Sequence, residues 1–274
     1  MNLLIRAASA IVLLPLVLAA IHFGGIGFFA LIAIATAIAI YEGLGLALPE
    51  SAQRRRQAVI FSFTMGGIAM TMLSPGAPVG LALALLMCGL VLSGVMIVLR
   101  PGDIEVAARR WVSAVFVSIY AGLPFLLLLG LRDLGEGDQG PRFIYLLMAA
   151  TWCNDTMAYF AGRTFGKHPM HPVVSPKKTW EGFAGGAAGS LGAALVCRAT
   201  FLPELGLVEA LVYGAVMAPL VPLGDLAESL LKRAAGVKDS GNIIPGHGGL
   251  LDRVDALLFA LPWTYIVATF ALSR

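Results

Sequence analysis

Three short polar stretches interrupt an otherwise apolar chain, and each carries residue types suited to phosphate or metal chemistry. The richest runs Gly224-Asp225-Leu226-Ala227-Glu228-Ser229-Leu230-Leu231-Lys232-Arg233, then Lys238-Asp239, Pro245-Gly246-His247-Gly248-Gly249 and Leu251-Asp252-Arg253-Val254-Asp255. If residues 225–235 are helical, their spacing puts Asp225, Glu228, Ser229 and Lys232 on one face, and Asp252 and Asp255 are i, i+3 neighbours in the next helix. Carboxylates gathered this closely need a cation to offset their repulsion, and hard oxygen donors favour Mg²⁺ over zinc or copper. The glycines around His247 permit positive φ and close backbone approach, which suits a nest of N–H groups around a phosphate. His247 itself is a candidate base or ligand, or equally a residue that holds the loop by hydrogen bonds.

The second stretch, Ser175-Pro176-Lys177-Lys178-Thr179-Trp180-Glu181-Gly182, sets two adjacent lysines among hydroxyls and glycine. Such a loop suits an anion, because Ser175, Thr179 and backbone N–H groups supply the remaining hydrogen bonds of a phosphate. The plainer alternative is ordinary cationic anchoring of the next helix, with Trp180 at the headgroup level. A Walker A pattern, GxxxxGK[ST], occurs nowhere. The third feature is Asp155, in Trp152-Cys153-Asn154-Asp155-Thr156, where an ionised carboxylate inside an apolar span costs at least about 2.5–3.5 kcal/mol. It needs a hydrogen bond to a neighbouring helix, a salt bridge to Arg163, or a polar cavity near the inner surface.

The elements that must position these groups are membrane helices. Of 274 residues 58% are hydrophobic and only 13% charged, with mean hydropathy +0.86, whereas a soluble domain carries about 25% charged residues. Disulfide scaffolds and disordered tails are excluded, and a net charge of +3 is too small to imply nucleic acid. Cys88, Cys153 and Cys197 show no zinc spacing and read as small core residues. Nine stretches are long enough to cross a bilayer: 7–22, 26–47, 57–74, 79–99, 112–130, 143–162, 182–201, 206–223 and 254–272. The first does not read as a cleaved signal peptide, because Arg6 is its only early charge and no suitable cleavage site follows. With the N-terminus inside, every basic residue except Arg132, Arg142, Arg198 and Arg274 falls in a cytoplasmic segment.

The expected fold is therefore an all-α polytopic bundle of about nine transmembrane helices with a cytoplasmic N-terminus. Residues 1–110 read as scaffold, since 57–99 hold no Lys, Arg, Asp, Glu or His. Residues 111–274 read as the catalytic part of one membrane domain, with its site facing the cytoplasm. Carboxylates for a metal, and lysines and a glycine turn for phosphate oxygens, point to phosphoryl or nucleotidyl transfer to a lipid. The same parts would also serve an ion or anion site in a transporter.

At these residues the sequence resembles the phosphatidate cytidylyltransferases, or CDP-diacylglycerol synthases. Their signature, S-x-x-K-R-x4-K-D-x-G/S/A-x2-apolar-P-x-H-G-G-apolar-x-D-R-apolar-D, is met at every fixed position by SLLKRAAGVKDSGNIIPGHGGLLDRVD, Ser229 to Asp255. The lead-in GDLAES, the loop SPKKTWEG and the run Asp155…Ala158-Tyr159…Gly162-Arg163…Gly166-Lys167 resemble further family motifs, and Met157 stands where the family usually has a small residue. The N-terminal half resembles the family only in hydropathy and in Glu42 at the end of the second span.

The resemblance implies a homodimeric multi-span enzyme of the inner, cytoplasmic membrane that converts CTP and phosphatidic acid to CDP-diacylglycerol and pyrophosphate. It implies Mg²⁺ held by Asp225 and Asp252, with a second cation such as K⁺ sharing the carboxylates. On this reading Asp225, Asp252, Lys177, Lys178 and Lys238 are the catalytic candidates. Asp155, Ser175, Thr179, Glu228, Ser229, Lys232, Arg233, Asp239, His247, Gly248, Gly249, Arg253 and Asp255 are the substrate-binding candidates. Relatives acting on archaeal ether lipids or dolichol-type acceptors are the nearest alternative. An ion-coupled transporter lacks its inverted repeat, and the D-G-x2-A-R-x8-G-x3-D-x3-D pattern of CDP-alcohol phosphotransferases is absent.

Overall fold

A computed structural model describes residues 3–48, 51–74, 76–99, 102–244, 246 and 248–273, with the backbone alone at 3–10 and 51. His247, Arg100 and Arg274 lie outside the described residues. Nine helices are present among the described residues. They are α1 (Leu3–Phe23), α2 (Gly25–Ala47), α3 (Ser51–Met72), α4 (Val79–Val98), α5 (Ile104–Arg132), α6 (Gln139–Phe165), α7 (Trp180–Thr200), α8 (Leu207–Ala234) and α9 (Leu251–Leu272). Five of them, α2, α4, α5, α8 and α9, are long and apolar enough to cross a membrane. Large apolar side chains such as Ile26, Phe63, Val79, Val98 and Phe270 stand exposed on helix faces, as lipid-facing helices require.

The chain divides into two compact units, Met1–Gly130 with Asp239–Asp252, and Leu131–Lys238 with Arg253–Arg274. In the first, α2 packs on α1 and α3, and α3 on α4, around Ile40, Leu44, Phe61, Met65 and Val117. Gln57 opens the apolar run of α3 and donates from Nε2 to the Ser93 carbonyl at 3.2 Å, and Arg54 lies 5.7 Å from the centre of the Tyr41 ring. In the second unit, α6 packs along α7 and α7 along α8. Small residues let the backbones close in, as they do between membrane helices: a Cβ on Gly189 would fall 2.5 Å from the Cys153 carbonyl oxygen. Asn154 donates to Ser190 Oγ at 2.7 Å across the same seam.

The helices differ from the sequence expectation at identifiable places. Helix α5 begins well before residue 112 because Asp103 Oδ1 accepts from Val106 N at 2.9 Å and caps it, and Glu105 pairs with Arg109 one turn on. Helix α8 runs through Pro219 and Pro222 to Ala234, so the expected span 206–223 and the helix 225–235 are one element. The loop before α7 is not wholly irregular: β1 (Pro169–His171) and β2 (Ser175–Thr179) form an antiparallel hairpin, with Pro169 opposite Thr179 and His171 opposite Ser175. Of the three cysteines only Cys197 is buried; Cys88 and Cys153 are exposed. The reading of all three as core residues is corrected here, because apolar neighbours in sequence mark lipid-facing positions as readily as interior ones.

Candidate active site

The second unit gathers Asp155 from α6, Lys178 from β2, Asp225 from α8 and Asp255 from α9. Lys178 Nζ lies 2.8 Å from Asp225 Oδ2 and donates to the Pro222 carbonyl at 2.9 Å. Ser229, one turn after Asp225, donates to its Oδ1 at 3.2 Å. Asp155 and Asp255 are near enough that both feel the charge of Asp225. With Glu228 and Lys232, which also act on Asp255, the group holds four carboxyl groups and two lysines. Among the described residues no group of three or more His, Cys, Asp and Glu side chains has metal-holding geometry. Arg163 donates to the Tyr159 hydroxyl at 2.9 Å, which is not the Asp155 partner considered above.

Packing sets where Asp225 stands. A Cβ on Gly224 would fall 2.7 Å from the Asp255 carbonyl oxygen and 2.9 Å from Ala256 Cα, so α8 and α9 approach backbone to backbone beside the two aspartates. Gly224→Ala is expected to push α9 away and cost about 1–3 kcal/mol, read as a lowered thermal midpoint in detergent micelles.

On the same face of α8, Glu228 is fully buried and accepts from Lys232 Nζ at 2.8 Å, with Lys232 only 9% exposed, and both residues act on Asp255. These two make a buried ion pair, and the helical face expected to present Asp225, Glu228, Ser229 and Lys232 together is present in α8, exposed to a different degree along its length. Arg233, Lys238, Asp239 and Arg253 are exposed, with Arg233 donating to the Val237 carbonyl at 3.3 Å. Asp255 Oδ1 accepts from Ala256 N at 2.7 Å.

The hairpin explains the other loop candidates. Thr179 caps α7 by accepting from Gly182 N at 3.1 Å, Ser175 stands at the start of β2, and Lys177 is exposed beside the half-buried Lys178. The hairpin base is tied by Glu181, which receives N–H bonds from Lys167 and His168 at 3.1 and 3.3 Å and pairs with His168 Nδ1 at 2.5 Å. The His168 bond, then these backbone donors, hold the Glu181 carboxyl down to about 2. A lowered carboxyl value means that this tie is fully present above the ordinary carboxylate range and is released only as pH falls toward that value. Glu181→Ala is expected to speed amide exchange over 167–179 several-fold at neutral pH, with the core of α7 unchanged.

The first unit holds the other half of the signature, residues 239–252. Asp252 Oδ2 accepts three bonds, from Ser240 N at 2.9 Å, Ser240 Oγ at 3.0 Å and Gly249 N at 2.9 Å. Gly246 and Gly248 take φ of 81° and 84°, and Ile244 bridges Gly248, whose carbonyl accepts from Ile244 N at 3.0 Å; this closes the turn. Glu42 also enters here, 3% exposed, with Oε2 accepting from Leu251 N at 2.9 Å and lying 3.4 Å from Ser240 Oγ. The sequence reading gave Glu42 no role. The signal was present, since a carboxylate within the apolar run 26–47 needs a partner as much as Asp155 does.

Five apolar helices of membrane-crossing length among the described residues define the class as a multi-pass helical membrane protein. The chain belongs to the cytidylyltransferase family, whose model matches residues 4–271. It is similar to the phosphatidate cytidylyltransferase of Bacillus subtilis, 39% identical over 150 residues covering 55% of each chain. It is also similar to that of Staphylococcus saprophyticus, 43% over 143 residues (52% of this chain, 53% of the relative), and of Mycobacterium tuberculosis, 39% over 132 residues (48% and 40%). The aligned part spans about half the length of these curated relatives or less.

Proposed function

We propose that the protein transfers CMP from CTP to phosphatidic acid, releasing pyrophosphate and leaving CDP-diacylglycerol in the bilayer for phospholipid biosynthesis. Family membership supports this reading, and the observation that carries it in the structure is the Lys178–Asp225 pair set beside Asp155 and Asp255. Nine spans, a cytoplasmic N-terminus, a site on the cytoplasmic face of the inner membrane and a homodimer complete the proposal. So does a division into scaffold (1–110) and catalytic part (111–274). The placement of lysines and arginines supports the orientation.

In the proposed reaction a phosphate oxygen of phosphatidate attacks the α-phosphorus of CTP. The new P–O bond forms as the bond to the bridging α–β oxygen breaks, and the electron pair leaves on pyrophosphate. The nucleophile is already an anion, so little general base is needed, and the protein's work is to hold two repelling anions in line. Lys178, fixed by Asp225 and the Pro222 carbonyl, presents a located positive charge to a phosphate. Lys177, Lys238, Arg233 and Arg253, all exposed, bind the outer phosphates or the lipid headgroup. Hard carboxylate oxygens suit Mg²⁺, and Asp225 and Asp252 are its proposed ligands on the strength of the signature. When bound, Mg²⁺ would offset the charge of the triphosphate, and a second cation such as K⁺ would share the carboxylates.

The test is pyrophosphate release by purified protein in micelles. Release should require CTP and phosphatidic acid together, stop when diacylglycerol replaces phosphatidic acid, stop with EDTA and return with Mg²⁺. Release that is indifferent to the lipid would contradict the proposal.

A further inference from the structure

We propose that Glu42 is a positioning residue for the signature loop: its buried carboxylate holds Ser240 and the start of α9, which keeps the donors of Ser240 and Gly249 on Asp252. The inference rests on the proposed transferase reading for its kinetic consequences and on the structure alone for the clamp.

The first-turn N–H groups of a helix have no partner within it. Leu251 N at the start of α9 finds one in Glu42 Oε2 at 2.9 Å, across 209 positions of sequence. A carboxylate there also meets the positive end of the helix dipole. A helix cap alone would need no more than this, yet the same oxygen lies 3.4 Å from Ser240 Oγ, whose hydroxyl reaches Asp252 Oδ2 at 3.0 Å. Glu42 and Asp252 therefore flank one hydroxyl, with Ser240 between them.

The loop is shaped to admit the carboxylate. A Cβ on Gly241 would fall 2.3 Å from Glu42 Oε1, and one on Gly249 would fall 2.2 Å from Ser240 Oγ, 2.6 Å from Glu42 Oε2 and 2.8 Å from Gly241 N. Gly249 is a fixed position of the signature, and closure around Glu42 gives it a physical reason; position 241 is one at which the signature takes only small residues. Gly249 also supplies one of the three bonds to Asp252. Gly43, next to Glu42, lets α2 close on α5, since a Cβ there would fall 2.5 Å from Val117 Cγ1.

The experiment compares Glu42→Ala and Glu42→Gln with wild type in full-length protein in micelles. Amide exchange without substrate or metal should speed about tenfold or more over residues 240–251 in Glu42→Ala while α6 and α7 keep wild-type protection. Glu42→Gln retains an acceptor and should restore most of that protection. In turnover, kcat should fall at least about tenfold in Glu42→Ala with KM for phosphatidic acid little changed, and Ser240→Ala should add little in that background. Wild-type exchange and turnover in Glu42→Ala would overturn the proposal. So would acceleration spread evenly over both units, which would show a residue that only supports the fold. If wild type transfers nothing while the Glu42-dependent protection is present, the transferase reading fails and the clamp stands.

Discussion

Asp225→Asn should reduce turnover by at least about 10³-fold while leaving a folded membrane protein. The substitution keeps the shape of the side chain and one acceptor for the Ser229 hydroxyl, now at 3.2 Å from Oδ1, but removes the charge that holds Lys178 at 2.8 Å. In the proposed reaction that charge serves the metal and the located lysine together, and groups acting as a unit lose their effect together. Stability should respond in the other direction or hardly at all, because neutralising one of three neighbouring carboxylates relieves repulsion with Asp155 and Asp255. The checks are single-turnover transfer and thermal unfolding on the same preparation. Near-normal turnover would sink the assignment of Asp225, and Asp252→Asn should behave alike.

Lys178→Met is the second large effect, expected at about 10²-fold in kcat/KM for CTP, the scale for removing one preorganised donor from a reacting centre. Its cost in stability should be about 1 kcal/mol or less, because the ion pair is only part-buried, with side chains 21% and 45% exposed. Lys178→Arg keeps the charge but brings a planar fork in place of a compact ammonium, and it should recover only part of the rate. Lys177→Met, at an exposed position with no ion pair to Asp225, should cost less than Lys178→Met. Equal losses for the two would show that the loop acts by net charge and not by the placed Lys178 ammonium.

The helices were legible because hydropathy over about 20 residues is a local property, and each expected stretch has a helix in the structure. The signature residues were legible for the same reason, being close in sequence. What stayed hidden is long-range or decided by detail. Lys178 was singled out beside Lys177, but nothing in their spacing says that only one meets a carboxylate 47 positions away. Thr179 looked like a phosphate-binding hydroxyl and caps α7, because the two uses need the same atom. Glu228 and Lys232 share the helical face with Asp225, but spacing does not say that neighbouring helices bury them there as a pair. Glu42 lies 198 residues from Ser240, and neither its family resemblance nor its cost in an apolar helix says what it meets.

The most direct measurement uses two CTP preparations, one labelled at the α-phosphorus and one at the γ-phosphorus, with phosphatidic acid, Mg²⁺ and purified protein in micelles. The expected result is α-label in the lipid phase, γ-label only in pyrophosphate, and neither in Asp252→Asn. Folded wild-type protein that puts no α-label into lipid, or puts γ-label there, would contradict a CMP transfer to phosphatidate.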